Sequence, residues 1–213
     1  MTHQTMRFCR LSAEEIDAGA QVVFDAFNGY SEKSGMARIP DVKIVSDRLR
    51  EYAEDTGIPG LLYGAFEEDV LVGFMLIRKL GIDEEAWEIS MLSVPPARQG
   101  QGIGRRLVEY ALQEILTLKG VLAVCAVTEG NDAALHLLAK QGFESEASGI
   151  PVGGDMSIWM LRKDMTNRMA ARAAAAEAAD DAAREAAELA GERRRPVVLD
   201  TAGNENAAKP ENA

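Results

Sequence analysis

The chain has 213 residues, with 23 Lys and Arg against 34 Asp and Glu and a formal net charge of −11, which argues against nucleic acid or an anionic membrane surface as partner. Residues 1–165 carry 16 basic against 25 acidic residues (−9) and the remainder 7 against 9 (−2), so the acidity belongs to the main domain, where it suits an amine substrate and equally suits plain solubility. No run of 18 apolar residues offers a membrane span, the first seven residues lack the apolar core of a signal peptide, and Cys9 and Cys125 sit in strand-like runs that read as buried reduced thiols with no metal-type Cys/His spacing; a cytoplasmic setting is expected.

Residues 6–11 read as a first strand. Ser12-Ala13-Glu14-Glu15 is a capping box, with Ser12 as N-cap and Glu15 at the third helical position, and starts a helix running to about Phe27. Residues 28–35 read as a loop and 41–54 as a second helix, broken by Thr56-Gly57-Ile58-Pro59-Gly60. Residues 61–66 and 70–79 read as strands joined at Glu67-Glu68-Asp69, and an acidic turn at 83–85 precedes a strand over 87–94. A glycine turn follows at 99–104. The next helix, about 102–118, carries Leu107, Val108, Ala111, Leu112, Ile115 and Leu116 at spacings of three and four. A strand at 121–127, a short helix at 132–140 and a closing hairpin of 143–147 with 156–162 complete the domain. The order β-α-α-β-β-β-α-β-α-β-β predicts an α/β class fold, an α+β sandwich whose mixed sheet of about seven strands has helices on both faces.

Composition shifts after Asp164. Residues 166–190 include 13 alanines, the best helix former, and Asp180–Arg184 and Arg184–Glu188 are pairs one turn apart. The domain is therefore placed at 1–165, with an Ala-rich helical extension over 166–195 and a polar tail, expected to be disordered, over 196–213. The extension is a solvated helix or a homodimer or partner contact.

Strand, glycine turn and helix start together form a phosphate cradle, because glycines allow close backbone approach and the first helical N–H groups are unpaired. Arg98, Arg105 and Arg106 add positive charge at that end. A dinucleotide fingerprint needs G-x-G-x-x-G, but from Gly100 and Gly102 the third glycine would fall at Arg105; no P-loop run exists. A plain strand–helix turn is the alternative. What stands here is Gln99-x-x-Gly102-x-Gly104, and downstream Asn131-x-x-Ala134 and Gly142-Phe143.

These two segments resemble the two signatures of the GNAT superfamily of acyl-coenzyme A-dependent N-acetyltransferases, (Q/R)-x-x-G-x-(G/A) and N-x-x-A-x-x-x-Y-x-x-x-G-F, and the resemblance covers about residues 5–165. It implies that acetyl-coenzyme A is the co-substrate, with no metal, held by Leu92, Ser93, Val94, Gln99, Gly100, Gln101, Gly102, Ile103, Gly104 and Arg105 and by Asn131, which is also a good helix N-cap. It implies Glu88 as general base, the backbone N–H of Leu92 as carbonyl-oxygen donor, and a small-molecule amine or a peptide or protein amino group as acceptor. It assigns acceptor choice to residues 27–36 and 148–155, which carry Tyr30, Glu32 and Asp155. The departure is at the family's tyrosine, which protonates the leaving thiolate. Here that position is Leu138; His136, two residues away, points about 200° round the helix, and Tyr30, Tyr63, Tyr110 or water are the substitutes. An N-acetyltransferase is the leading reading, with a non-catalytic or regulatory acyl-coenzyme A-binding module and a tail-centred interaction protein as alternatives.

Overall fold

A computed structural model describes residues 6–54, 60–81, 85–153 and 156–192. The expected helix break at 56–59, the acidic turn at 83–84, Gly154 and Asp155 of the hairpin, and the tail over 196–213 lie outside the described residues. The chain divides into two compact units, Met1–Ala170 and Ala171–Ala213.

The first unit contains β1 (Met6–Arg10), α1 (Ile16–Ser34), α2 (Val42–Glu54), β2 (Leu61–Glu67), β3 (Val70–Lys79), β4 (Ala86–Ser93), α3 (Ile103–Thr117), β5 (Leu122–Thr128), α4 (Asp132–Lys140), β6 (Glu144–Gly153) and β7 (Met156–Asp164). The last helix, α5 (Thr166–Glu192), starts in this unit and makes up the described part of the second. Its Asp180–Arg184 pair closes at 2.9 Å.

The seven strands form one sheet in the order β1-β2-β3-β4-β5-β7-β6. β4 and β5 run parallel and the other neighbouring pairs antiparallel. Strand alternation sorts side chains to two cores. One face buries Met75, Ile77, Trp87, Ile89, Cys125 and Val127 beneath the apolar stripe of α3, where Leu107, Val108, Ala111 and Ile115 are fully enclosed. The opposite face buries Leu62, Phe74 and Leu76 against Ile16, Ala20 and Val23 of α1 and Val45 and Leu49 of α2.

Two elements run further than the sequence suggests. The α1 helix continues past Phe27 to Ser34, so Tyr30 and Glu32 are helical rather than looped. Buried Asn28 explains this: its amide donates to Ile39 O (3.1 Å) and accepts from Ile39 N (2.8 Å), tying the helix to the following segment. Gly35, at φ 74°, then caps it with its N–H on Ser31 O. β6 extends through Pro151 to Gly153, with register shifts along the way; it is an edge strand, where a residue without an N–H is tolerated.

Beneath α3, the Tyr63 hydroxyl donates to Glu114 Oε2 at 2.8 Å, and its ring meets Tyr110 edge-on while Tyr110 stacks on Phe8. Burial first, then the Glu114 carboxylate, pushes the Tyr63 hydroxyl well above the usual tyrosine range. A folded-state pKa raised above the unfolded value contributes stability below about pH 10, and that contribution is lost as pH rises beyond it. Tyr63→Phe should therefore cost about 1 kcal/mol at pH 8 and reduce the loss of stability between pH 8 and 11 in urea titrations; an unchanged slope contradicts this linkage.

Candidate active site

The site is organised by a parting of strands. β4 and β5 share register at Ala86–Leu122, Trp87–Ala123 and Glu88–Val124, and no further. Their starts are held together by Trp87, whose indole lies so close to Gly120 that a Cβ there would stand 2.4 Å from Trp87 Cδ1. Past that point β5 stays with β7 as far as Thr128. β4 stays with β3 but bulges: Ser90 pairs with Leu76 and Ser93 with Phe74, leaving Met91 and Leu92 opposite the single residue Met75. Met91 takes up the extra length with φ 49°, a conformation a bulge can require and a long side chain rarely adopts. Met91 consequently packs toward the α1/α2 core and Leu92 toward the α3 core. The Leu92 amide thus lies in a stretch with no register partner on either neighbour.

The glycine turn sits at the open end of this cleft. After a short 3-10 turn, Pro96–Arg98, the Gln99 side chain donates to Val94 O at 3.0 Å and ties the turn back to the strand. Gly100 (φ 76°) and Gly102 (φ 81°) adopt the left-handed conformation, and a Cβ at either would meet nothing within 4 Å. Gly102 is the N-cap of α3. The Arg106 N–H pairs with Gly102 O at 3.1 Å, leaving the amides of Ile103, Gly104 and Arg105 as the orphan donors of the first turn. The arginines are engaged elsewhere. Arg98 is ion-paired with Glu67 and Arg105 with Glu109 (3.0 Å), while Arg106 lines a separate open cavity of about 510 Å³ with Phe8, Tyr110 and Gln113.

Asn131 caps α4, its side chain accepting from Ala134 N at 3.2 Å. Leu138 is buried in the α3-side core and His136 is exposed, so neither offers a group to the cleft. Both cysteines are free; Cys125 is buried, and burial followed by the nearby Glu88 charge drives its thiol well above the ordinary range.

Glu88 occupies the last shared rung, on the face opposite Trp87 and Ile89. Its side chain is only 14% exposed, and Arg78 Nε, its register partner on β3, donates to Oε2 at 2.5 Å. The guanidinium of Arg78 in turn lies 5.6 Å from the Tyr52 ring centre. Glu88 Oε1 takes no hydrogen bond from a described residue.

The end of α1 lies over the mouth. A Cβ on Gly29 would fall 2.3 Å from Pro96 Cγ, after β4, while the Tyr30 hydroxyl stands 3.9 Å from the Cβ position of Gly130, after β5. Between them opens a groove of about 390 Å³, lined on one side by Tyr30, Ser34 and Met36 and on the other by Thr128, Glu129, Gly130, Met156 and Ser157. The expected Tyr30 is in it. Glu32 is not: it pairs with Arg38 at 3.1 Å, with both side chains 60% exposed. Glu129 and Ser157 carry no signal of their own in the sequence, although Glu129 falls between β5 and the Asn131 segment, where a turn residue borders the cleft.

The acetyltransferase (GNAT) family matches residues 29–143. The chain belongs to this family. An 83-residue stretch, 38% of the chain, is 40% identical to the N-alpha-acetyltransferase RimI of Mycobacterium tuberculosis and covers 50% of that protein; the chain thus matches about half the length of this relative. The GNAT fold recurs in the ribosomal-protein-alanine N-acetyltransferase of Brucella melitensis (TM-score 0.59, 19% identity, 74% of this chain and 99% of that one). It recurs also in PaiA N-acetyltransferase from Thermoplasma acidophilum, solved in complex with coenzyme A (TM-score 0.60, 18% identity, 75% and 99%).

The contact between α1 and the turn yields a test of sign. Helix propensity alone makes Gly29→Ala stabilising by about 1 kcal/mol. The Pro96 contact reverses this, and a net loss of about 1 kcal/mol is expected from overpacking. A urea midpoint that rises instead would mean that α1 does not press on the turn.

Proposed function

We propose that this GNAT chain is an N-acetyltransferase that moves the acetyl group of acetyl-coenzyme A to a primary amine, of a small molecule or of a peptide or protein, by direct attack, with Glu88 as general base. The observation that carries the reading is the internal edge created where β5 leaves β4, bounded by the glycine cradle at one end and Glu88 at the other. The N-alpha-acetyltransferase name of the mycobacterial relative supports a peptide or protein amino group as acceptor.

The residues present fit coenzyme A. Its pyrophosphate matches the open space over Gly100 and Gly102 and the orphan amides of 103–105, where the positive end of α3 favours an anion. Gln99 and Gln101 brace the turn through Val94 O and Ala97 O. Ser93 and Val94 belong to the β4 side of the pantetheine path, and Asn131 to its β5 side. Bound acetyl-coenzyme A supplies an activated carbonyl carbon and a thiolate leaving group.

The amine must shed a proton before it attacks. The uncommitted Oε1 of Glu88 accepts that proton, and Arg78 fixes the carboxylate's direction. Glu88 and Leu92 are four strand residues apart, about 13 Å at 3.3 Å per residue, so the proton travels through bridging water. The Leu92 N–H donates to the carbonyl oxygen as it gains charge; one such donor is worth about 2.7–4 kcal/mol in the transition state. A non-catalytic acyl-coenzyme A-binding module is the second reading, favoured by one observation: Leu138 is buried where the family carries its proton-donating tyrosine.

Two variants test these roles. Gly102→Asp puts a carboxylate into the cradle and should weaken coenzyme A binding by about 100-fold or more, as when two charge-assisted hydrogen bonds are lost; calorimetric affinity near wild type refutes the cradle. Glu88→Gln should lower kcat by about 100-fold, the lower range for a general base, and flatten the acid limb of the pH–rate profile with coenzyme A binding retained. A wild-type profile in that variant removes Glu88 from the base role. Coenzyme A binding without turnover of any amine or peptide favours the binding module.

A further inference from the structure

Among the described residues that line the groove beside Tyr30, Glu129 is the single charged one. That carboxylate is held in place twice. Its backbone N–H donates to Ser157 O at 2.9 Å, and its Oε2 accepts from the Ser157 hydroxyl. Oε1 takes no hydrogen bond from a described residue, and none of the described lining residues is basic. Flanking it are the Tyr30 ring and the thioether chains of Met36 and Met156, the last 41% exposed. An anchored anion, an aromatic face and two flexible apolar walls together suit a cation carried on an aliphatic stem.

The amine that reacts cannot be that cation. It must enter the parting of β4 and β5 and lose its proton there, whereas Glu129 rewards a positive charge that stays. We propose that the acceptor carries, besides the amine that is acetylated, a second positive group on an aliphatic stem, and that Glu129 with Tyr30 selects for it. This assignment rests on the transferase reading above and specifies its substrate. Two sources share the chemistry: an alkyl diamine, and a peptide with a basic side chain next to its reacting amino terminus.

The test uses the full chain and its Glu129→Gln variant with acetyl-coenzyme A and two matched pairs of acceptors. One pair is 1,5-diaminopentane against 1-aminopentane; the other is the tripeptide Ala-Arg-Ala against Ala-norleucine-Ala. Wild type should favour the dication in at least one pair by about five- to tenfold in kcat/KM, through KM rather than kcat, the range expected for one exposed ion pair plus one cation–ring contact. Glu129→Gln should bring that ratio close to one. Preference in the first pair identifies a diamine, and in the second a peptide. Equal use of both members in both pairs, or a preference that survives in Glu129→Gln, overturns the assignment. Absence of turnover with all four compounds counts against the transferase reading instead. Calorimetric binding of the same four to the coenzyme A complex then decides the groove: binding selective for the dication and dependent on Glu129 supports it, and its absence overturns it.

Discussion

The parting of β4 and β5 beyond Glu88 and Val124 is the constraint on which the rest of this molecule depends. Sheets are held by paired backbone groups, and an unpaired edge inside a domain is costly unless water or a ligand completes it. Here β5 meets its obligations through β7 on one side, and β4 through β3 on the other. The extra residue at the Met91–Leu92 bulge turns β4 away and exposes an internal edge facing the cleft. Such an edge is suited to an extended ligand with amides of its own. Trp87 on Gly120 keeps the strands joined at their starts, so the opening is a wedge of fixed origin rather than a general loosening of the sheet.

The charges are divided about this wedge. In the proposed cradle, anion recognition would come from backbone amides and the helix end, because Arg98 and Arg105 are ion-paired with Glu67 and Glu109. Arg98 reaches from the turn to Glu67 on β2 and leaves its buried Nε without a partner, which anchors the turn to the sheet. On the proposed acceptor side stand two carboxylates, Glu88 and Glu129, each oriented by one neighbour. Under the proposed reading, a cationic acceptor would be drawn to these carboxylates and away from the end where the anionic co-substrate would lie. The −9 charge of the domain acts in the same sense at longer range.

Much of this architecture was legible in the sequence because local signals agreed with tertiary need. The periodic stripe of α3, the Asn131 cap and the glycine turn all specify their structures within a few residues. What was not legible depends on partners far along the chain. Asn28 and Gly29 look like loop formers; Asn28 prolongs α1 only because Ile39 returns to meet it, and Gly29 is required because Pro96 lies against it. The bulge has no local signal, because its left-handed residue is a methionine and not a glycine; only the family resemblance points to it, through the free amide expected at Leu92. The pairing of Arg98 with Glu67 on β2 is likewise invisible in the sequence, since its partner lies 31 residues away. Nor does the sequence show that Glu32 pairs with Arg38.

In the proposed reaction, Leu138 at the family's tyrosine position would shift weight onto the base. Of the four tyrosines, Tyr52 lies under Arg48 and Arg78, Tyr63 and Tyr110 surround Glu114, and Tyr30 lines the groove with Glu129. A free thiol in water titrates near about pH 8.5, so the thiolate is a tolerable leaving group and needs little help to depart. A lysine-like ammonium holds its proton to about pH 10.4, and it must give that proton up or it cannot attack at all. Removing that proton is the harder task. In the proposed reaction the carboxylate for it is Glu88, at the last rung shared by β4 and β5, and the other position holds a leucine whose side chain packs in the core beneath α3.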